Sequence, residues 1–412
     1  MTRSKGITRR TFQAALAAGA AASFAPFRIA RAQAPKLKIG LILPRSGILG
    51  VVGQSCQKGA DLAPAVIKEL LGVDIELMNA DFESNVDTAR TRAERLIQDG
   101  AHVLVGPFDS GAATAIAQVA EQRGVPLIIN IAAAPQITEQ GYRYVFRNFP
   151  TSGDIVRSGL DLIGDLFKAT NTSPSTAVYL HVNDTFGQAM TKAITQILPS
   201  RSLGFKIVDD IGYDPGAKDL TVEVSRAKAA KADFVLTISR PNDAVLLRRE
   251  MVKQRFHPMA VVSPGSPGTY EEQYFKSLGK LADYAISNVP WYNPHAKLTQ
   301  IVEKAFLQQN PNDKLVFHAL NVGFTFEALL IAADAFKRAR STDPKALTEA
   351  IRQTSITDRM MLGGPIKFSA KGQVDGIASA CVQNLNMVPT VVLPSSAATA
   401  KPMFPVPEYK KS

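Results

Sequence analysis

The sequence predicts an α/β fold made of two doubly wound lobes of one design. Three observations predict it: short runs dense in Val, Ile and Leu, helical spacing in the stretches between them, and a similar rhythm of runs in both halves. The runs of the first half cover residues 37–43, 73–78, 101–105, 125–129 and 144–149. Those of the second cover 176–180, 205–209, 233–238, 259–262 and 284–289. Near-continuous apolar strands alternating with helices belong to parallel sheets buried on both faces. The first four strand starts lie 36, 28 and 24 residues apart in the first half and 29, 28 and 26 apart in the second. No residue-level repeat accompanies this rhythm, so the duplication is architectural.

Residues 1–34 are set apart from the fold. Arg3, Lys5, Arg9 and Arg10 precede an Ala-rich apolar run over 14–25, and Ala30-Arg31-Ala32 and Ala32-Gln33-Ala34 offer small-residue cleavage sites. That order is an export signal, with an apolar core of roughly 12 residues against the ~20 that a membrane-spanning helix needs. Thr8-Arg9-Arg10-Thr11-Phe12 reads as a twin-arginine signal; the plainer alternative is an amphipathic N-terminal helix. The leader holds six of the 47 Lys and Arg and none of the 36 acids, so the remaining chain carries 41 minus 36, or +5. A charge of that size, with its cations scattered singly among acids, is no nucleic-acid footprint.

Helical signals fill the gaps between runs. Residues 85–98 place Ala89, Ala93, Leu96 and Ile97 on one face and stop at Gly100. Residues 112–121 form a small-residue helix ending before Gly124, and 244–252 another helix. Residues 54–71 are helical but contain Pro64, which should kink or split them. Residues 317–340 form the longest helical stretch, within a mostly helical segment 295–354, after which 362–368 and 377–392 read as strands. No segment beyond the leader reads as apolar enough to span a membrane. Strands returning after a helical segment imply a chain that crosses between lobes more than once. Cys56 and Cys381 have no framework spacing and read as two separate buried thiols; a bond between them would restrain lobe motion.

A resemblance to a known family rests on Lys38-Ile39-Gly40 entering Pro44-Arg45-Ser46-Gly47, on Val105-Gly106-Pro107 before Ser110, and on Val125-Pro126. Ala134-Pro135-Gln136-Ile137-Thr138, Val145-Phe146-Arg147, Asp184-Thr185-Phe186-Gly187 and Pro290-Trp291-Tyr292 add to it. In that order, over residues 37–392, they resemble the periplasmic substrate-binding proteins of branched-chain amino acid (leucine-binding-protein-like) ABC transporters. The resemblance implies the type I periplasmic-binding architecture, two Rossmann-like lobes joined by three crossover strands around a hinged cleft. The expected boundaries are 36–148 plus 286–358 for lobe one and 149–285 plus 359–412 for lobe two. It also implies a monomer in the periplasm that captures a small-molecule ligand and delivers it to an ABC permease in the inner membrane.

Such a fold binds its ligand at the carboxyl ends of the strands, and the resemblance points to particular positions. Phe108, Asp109, Ser110 and Gly111 follow the third strand and open a helix, whose N-terminus suits a carboxylate; Asp109 and Ser110 are equally ordinary N-caps. Asn130, Ala132 and Ala133 follow the fourth strand, Ala133 standing where a hydroxyl is common in the family. Phe186 reads either as a ring covering the ligand or as a core residue. Arg240 reads as a two-pronged carboxylate binder or a solvated surface residue. Ser46, Gly265 and Trp291 complete the expected set, Trp291 with packing as its alternative. Family members that take amino acids place an acid after the ninth strand; here 263–268 reads Ser-Pro-Gly-Ser-Pro-Gly. An ammonium without a charged partner is costly, so the expected ligand is an organic anion without an amino group, aromatic or short-chain; Asp109 could still hold an ammonium, which leaves a branched-chain or other amino acid or amide as the alternative.

Two rival readings stand beside this one. An exported enzyme would need a nucleophile, a base and an orienting group, yet the chain has no Gly-x-Ser-x-Gly elbow, no Walker A, no Gly-x-Gly-x-x-Gly and no Cys-x-x-Cys. His102, His181, His257, His295 and His318 show no metal-ligand spacing. No cofactor or metal is expected. The second rival is a sensor that presents its captured ligand to a membrane receptor.

Overall fold

The first strand, β1 (Leu37–Leu43), has every residue but Lys38 buried, and around such strands two sheets are laid down. The computed structural model describes residues 36–408; the expected leader lies outside them. The first sheet holds β1, β2 (Ile75–Asp81), β3 (Val103–Val105), β4 (Leu127–Ile129) and β5 (Val145–Arg147) in the order β2-β1-β3-β4-β5, all parallel. The second holds β6 (Thr176–Val182), β7 (Lys206–Tyr213), β8 (Phe234–Ile238), β9 (Val261–Ser263), β10 (Ile286–Pro290), β11 (Ser379–Leu385) and β12 (Val388–Leu393). Its order, β12-β11-β10-β9-β8-β6-β7, repeats the winding of the first and adds an antiparallel hairpin at one edge. Each sheet therefore has its own switch point, between β1 and β3 and between β6 and β8.

Helices cover both faces. On the first sheet, α1 (Gly50–Leu71) lies on one side, and α2 (Val86–Gln98) and α3 (Ser110–Arg123) pair on the other. On the second, α4 (Ser152–Thr170) pairs with α5 (Thr185–Ile197), while α6 (Thr221–Ala229) and α7 (Pro241–Lys253) pack together, and α8 (Glu272–Leu278) packs on α7. The chain then returns to the first sheet with α9 (Lys297–Gln309), α10 (Ala319–Ala339) and α11 (Pro344–Arg352). Short polar side chains start many of these helices by accepting an otherwise unbonded N–H: Asn85 from Thr88 at 2.9 Å, Asp109 from Ala112 at 2.8 Å and Asp184 from Gly187 at 2.7 Å. Pro64 does not split α1, which runs unbroken across it. At Gly59 a Cβ would sit 2.6 Å from the Val322 carbonyl oxygen, so glycine is what lets α1 and α10 touch backbone to backbone.

Several sequence expectations are corrected. Strand β10, expected at the start of the second segment of lobe one, pairs with β9 and β11 and so belongs to the second sheet. Residues 362–368 form only isolated bridges, such as Gly363 to Ile377. Residues 377–392 are two strands, because Asn386 and Met387 both take positive φ and turn the chain back on itself. Helix α10 is long and apolar enough to cross a membrane, contrary to expectation, but 94% of its apolar window is buried inside the protein.

The chain passes between the sheets after β5, after β10 and after α11. These three passages meet at Glu327 of α10. Its fully buried carboxylate accepts from Asn148 Nδ2 (3.1 Å), Arg359 Nη2 (2.6 Å), and the Met360 and Met361 amides (2.8 and 3.0 Å). The middle passage is tied in through Asn293 N to Met360 O (2.7 Å) and Leu362 N to Trp291 O (2.8 Å). Every oxygen of this buried charge is satisfied, the condition under which burial is tolerated.

Candidate functional site

The carboxyl ends of the two sheets face one shared cavity. The first sheet contributes Phe108 after β3, Ile131 and Ala133 after β4, and Phe149 after β5. The second contributes Phe186 after β6, Arg240 after β8, and Gly265, Pro267 and Tyr270 after β9. Val289 and Pro290 at the end of β10 and Leu320 of α10 complete the wall. One lining residue is charged, Arg240, and none is acidic.

Arg240 is the centre of the site. Its guanidinium lies 4.6 Å from the Phe186 ring centroid and 5.3 Å from that of Phe108, within cation–π range. Nε and Nη2 both donate to Asp184 Oδ2, at 3.1 and 2.8 Å. Nη2 also reaches Asp109 Oδ2 at 3.4 Å, leaving Nη1 without a hydrogen bond among the described residues. Burial opposes the charge, but Asp184 and Asp109 outweigh it and hold Arg240 above its ordinary pKa. The same side chain lines an outer groove with Ile48, Gly111, Thr185, Lys218 and Asn242, so it stands as the partition between cavity and groove. Below it Asp243 accepts the Arg240 amide at 3.0 Å and the Tyr213 hydroxyl at 2.6 Å. Burial raises that carboxyl to about 6, against the pull of these two bonds.

Another arginine shapes the floor. Arg147, fully buried in β5, donates from Nη1 to the Ala132 and Ala134 carbonyls (3.2 and 2.7 Å), from Nη2 to Thr138 (2.8 Å) and from Nε to Gln373 (2.7 Å). Burial lowers its pKa to about 10, only partly offset by Asp154 and Glu139. The loop after β4 is thereby held in one shape. At Gly265, φ is 139° and a Cβ would lie 2.0 Å from Ile155 Cγ2, so only glycine fits this wall.

Of the positions expected from the sequence, Phe108, Ala133, Phe186, Arg240 and Gly265 line the cavity, while Asp109 and Gly111 line the outer groove. Ser110 is buried off the lining, its hydroxyl accepting the Ala134 amide at 3.3 Å. Asn130 turns inward, donating to Thr325 at 2.9 Å, and the Ala132 carbonyl is taken by Arg147. Ser46 is exposed, its carbonyl bonded by Ser84 Oγ at 2.7 Å. Trp291 backs the wall from behind, its ring 5.2 Å edge-to-face from Tyr270. Sequence reasoning missed Ile131, Phe149, Pro267, Tyr270, Val289, Pro290 and Leu320. Two carried a usable signal: Phe149 lies just past a strand end, and Tyr270 lies just past the loop after β9.

Behind Tyr270, Glu271 is buried with Oε1 accepting from Asn321 at 2.7 Å and Oε2 unpartnered. Burial pushes its carboxyl up to about 8, with Asn321 and Lys58 pulling the other way; at neutral pH this acid is largely uncharged. The fold also assembles a Ser–His–Asp set that no motif announced. Ser55 Oγ lies 2.9 Å from His318 Nδ1, and His318 Nε2 lies 2.9 Å from Asp313. Ser55 is 2% exposed and joins α1 to the start of α10, off the cavity lining. Glu272, Asp313 and His318 offer ligand atoms within 4.8 Å of one another, but the Lys58 ammonium contacts Asp313 and lies 3.3 Å from His318 Nε2, supplying the positive charge there. Cys56 and Cys381 are free and buried, and burial raises both thiols to about 12, beyond the reach of thiolate chemistry at neutral pH.

Two wound sheets facing one cavity across three passages is an architecture that known proteins share, and the family model described as "Periplasmic binding protein" matches residues 36–387. The chain belongs to this family. Within it the chain is a leucine-binding-protein-like, type I member of the kind that serves ABC transporters, a class of exported, periplasmic solute-binding proteins. A Leu/Ile/Val-binding protein homolog of Brucella abortus is 24% identical over 401 residues, covering 89% of this chain and 93% of that protein. The branched-chain amino acid transporter substrate-binding protein LivJ of Streptococcus pneumoniae, in complex with isoleucine, aligns with TM-score 0.74 at 19% identity, covering 86% of this chain and 98% of that one. An ABC-transporter solute-binding protein of R. palustris in complex with benzoate aligns with TM-score 0.74 at 20% identity, covering 89% and 98%. The isoleucine and benzoate complexes share one fold, so the fold by itself does not set the ligand.

Proposed function

We propose that this periplasmic binding protein captures a small organic acid with a flat apolar body and no amino group, an aromatic carboxylate above all, and delivers it to an ABC permease in the inner membrane. One observation carries the reading: the wall combines four aromatic rings (Phe108, Phe149, Phe186, Tyr270) and one guanidinium with no carboxylate. Aromatic rings accept a planar ligand body by stacking or edge contact. The Arg240 donors that Asp184 leaves over suit the ligand's carboxylate end-on. An α-ammonium in the same cavity would have to reach Asp109 or Asp184 past that guanidinium, or Glu271, which burial keeps largely uncharged. The benzoate-bound R. palustris protein supports the same ligand class.

Capture proceeds by hinge closure, with lobes bounded at 36–148 plus 291–358 and at 149–290 plus 359–408, turning about the passages that Glu327 ties together. Arg9 and Arg10 direct export of the folded monomer by the twin-arginine route. A second reading, capture of a branched-chain amino acid, is favoured by the Brucella abortus relative and the isoleucine-bound Streptococcus pneumoniae protein. Calorimetry with benzoate and with leucine separates the two. Benzoate binding in the micromolar range with no heat from leucine is the expected result, and the reverse overturns it. A ligand at about 100 times its Kd stabilises the native state by roughly 2.7 kcal/mol, so thermal shift extends the comparison to other acids. Small-angle scattering should record a smaller radius of gyration on binding, and Arg9→Lys with Arg10→Lys should retain the precursor inside the cell.

A further inference from the structure

The two switch points face each other across the cleft, and each delivers a carboxylate to the same guanidinium. Asp184 and Arg240 belong to the second sheet, following β6 and β8; Asp109 follows β3 of the first. Both aspartates use Oδ1 to cap their own helices, α3 from Asp109 and α5 from Asp184, and present Oδ2 to Arg240. The two contacts differ. Asp184 takes Nε and Nη2 at 3.1 and 2.8 Å from the guanidinium's own lobe, while Asp109 reaches only Nη2, at 3.4 Å, from the other. The pair is mostly shielded, with side-chain exposures of 7% for Arg240 and 15% for Asp109. A second bond crosses the cleft nearby, Asn242 Nδ2 to the Ile48 carbonyl at 3.1 Å.

We infer that Asp109 is a built-in rival of the ligand: a tethered carboxylate that occupies the outer edge of Arg240, holds the lobes together, and must release Nη2 before a captured carboxylate can take the Nη1–Nη2 edge. This rests on Arg240 being the group that faces the ligand's carboxylate. A charge fixed on the opposing lobe competes at high effective concentration, and every molecule latched this way is withdrawn from the binding-competent population. Asp109 thereby sets how strong an acid contact the ligand must offer, and it favours ligands whose ring burial supplies the difference.

Asparagine and serine are both good N-caps, so Asp109→Asn and Asp109→Ser remove the charge while sparing α3, which circular dichroism checks. Benzoate affinity of each variant is measured by calorimetry, and the radius of gyration without added ligand by small-angle scattering. The expected result is binding roughly twofold tighter than the parent chain, as a latched half of the population is released, together with a larger radius of gyration. Unchanged or weaker benzoate binding in both variants overturns the inference, the weaker case by making Asp109 a direct ligand contact. If the parent chain binds leucine and no benzoate, the ligand assignment fails; scattering then decides the latch alone, and a radius unchanged by either substitution removes it.

Discussion

Arg359 and Arg240 are both buried arginines paired to acids, and they do opposite things. Arg359 gives Nη2 and Nε to Glu327 (2.6 and 3.3 Å), whose remaining capacity is taken by Asn148 of another passage and by the two amides that follow Arg359 in its own. Nothing in that cluster has to change when the lobes move, because every partner lies at the place where the lobes join. Arg240 divides itself between a near acid on its own lobe and a more distant one across the mouth, and keeps one nitrogen in reserve. The comparison teaches that a buried charge is a fixture when all its partners share one rigid locus, and an exchangeable contact when its partners sit on bodies that separate.

Substitutions can break or sharpen this contrast. Glu327→Ala strands Arg359 and two amides, and should cost about 3–5 kcal/mol of stability, read from the urea midpoint. Arg240→Met should cost clearly less stability; an equal loss would end the contrast. What Arg240→Met should remove is ligand affinity, by about 2–5 kcal/mol for benzoate in calorimetry. Glu271 sharpens the picture from the side of pH. Its carboxyl is raised to about 8 from 4.5, so between those values the folded chain keeps a proton that the unfolded chain releases. Stability should therefore fall as pH rises through that window, by up to about 1.4 kcal/mol per pH unit, and level off above it. Glu271→Gln should flatten the slope in denaturation curves taken from pH 5 to 9. The smallest effect belongs to Phe186→Leu, which removes one of the two rings against Arg240 and should weaken benzoate by about 1 kcal/mol.

Much of the fold was legible because parallel strands buried on both faces leave dense apolar runs. The run at 37–43 coincides with β1, and the repeated spacing anticipated the repeated strand order. The hairpin after residue 377 was hidden because its turn uses Asn386 and Met387 rather than glycine. The assignment of β10 was displaced because a strand beside a passage looks the same in either sheet. At the site, strand-end logic found Phe108, Phe186 and Arg240, since their loops must open toward the cleft. It could not separate Ala133, which faces the cavity, from Asn130 and Ser110, which turn into the core, because that choice depends on partners far away in sequence: Thr325 for Asn130, and the Ala134 amide for Ser110. The Glu327–Arg359 pair left no local pattern at all, its members being 32 positions apart.

Helix α10 carries a consequence for the journey to the periplasm. Its 21 residues, Ala319–Ala339, pass as a bilayer-crossing segment by length and apolarity, and only the surrounding protein conceals them. A chain threaded through a membrane channel while still unfolded would offer this stretch to the lipid as a place to halt. A chain that is already folded at the membrane brings it across wrapped in its own neighbours, chiefly α1. On the proposed twin-arginine route, weakening the contact at Gly59 would thus be felt as stranded precursor as well as lost stability.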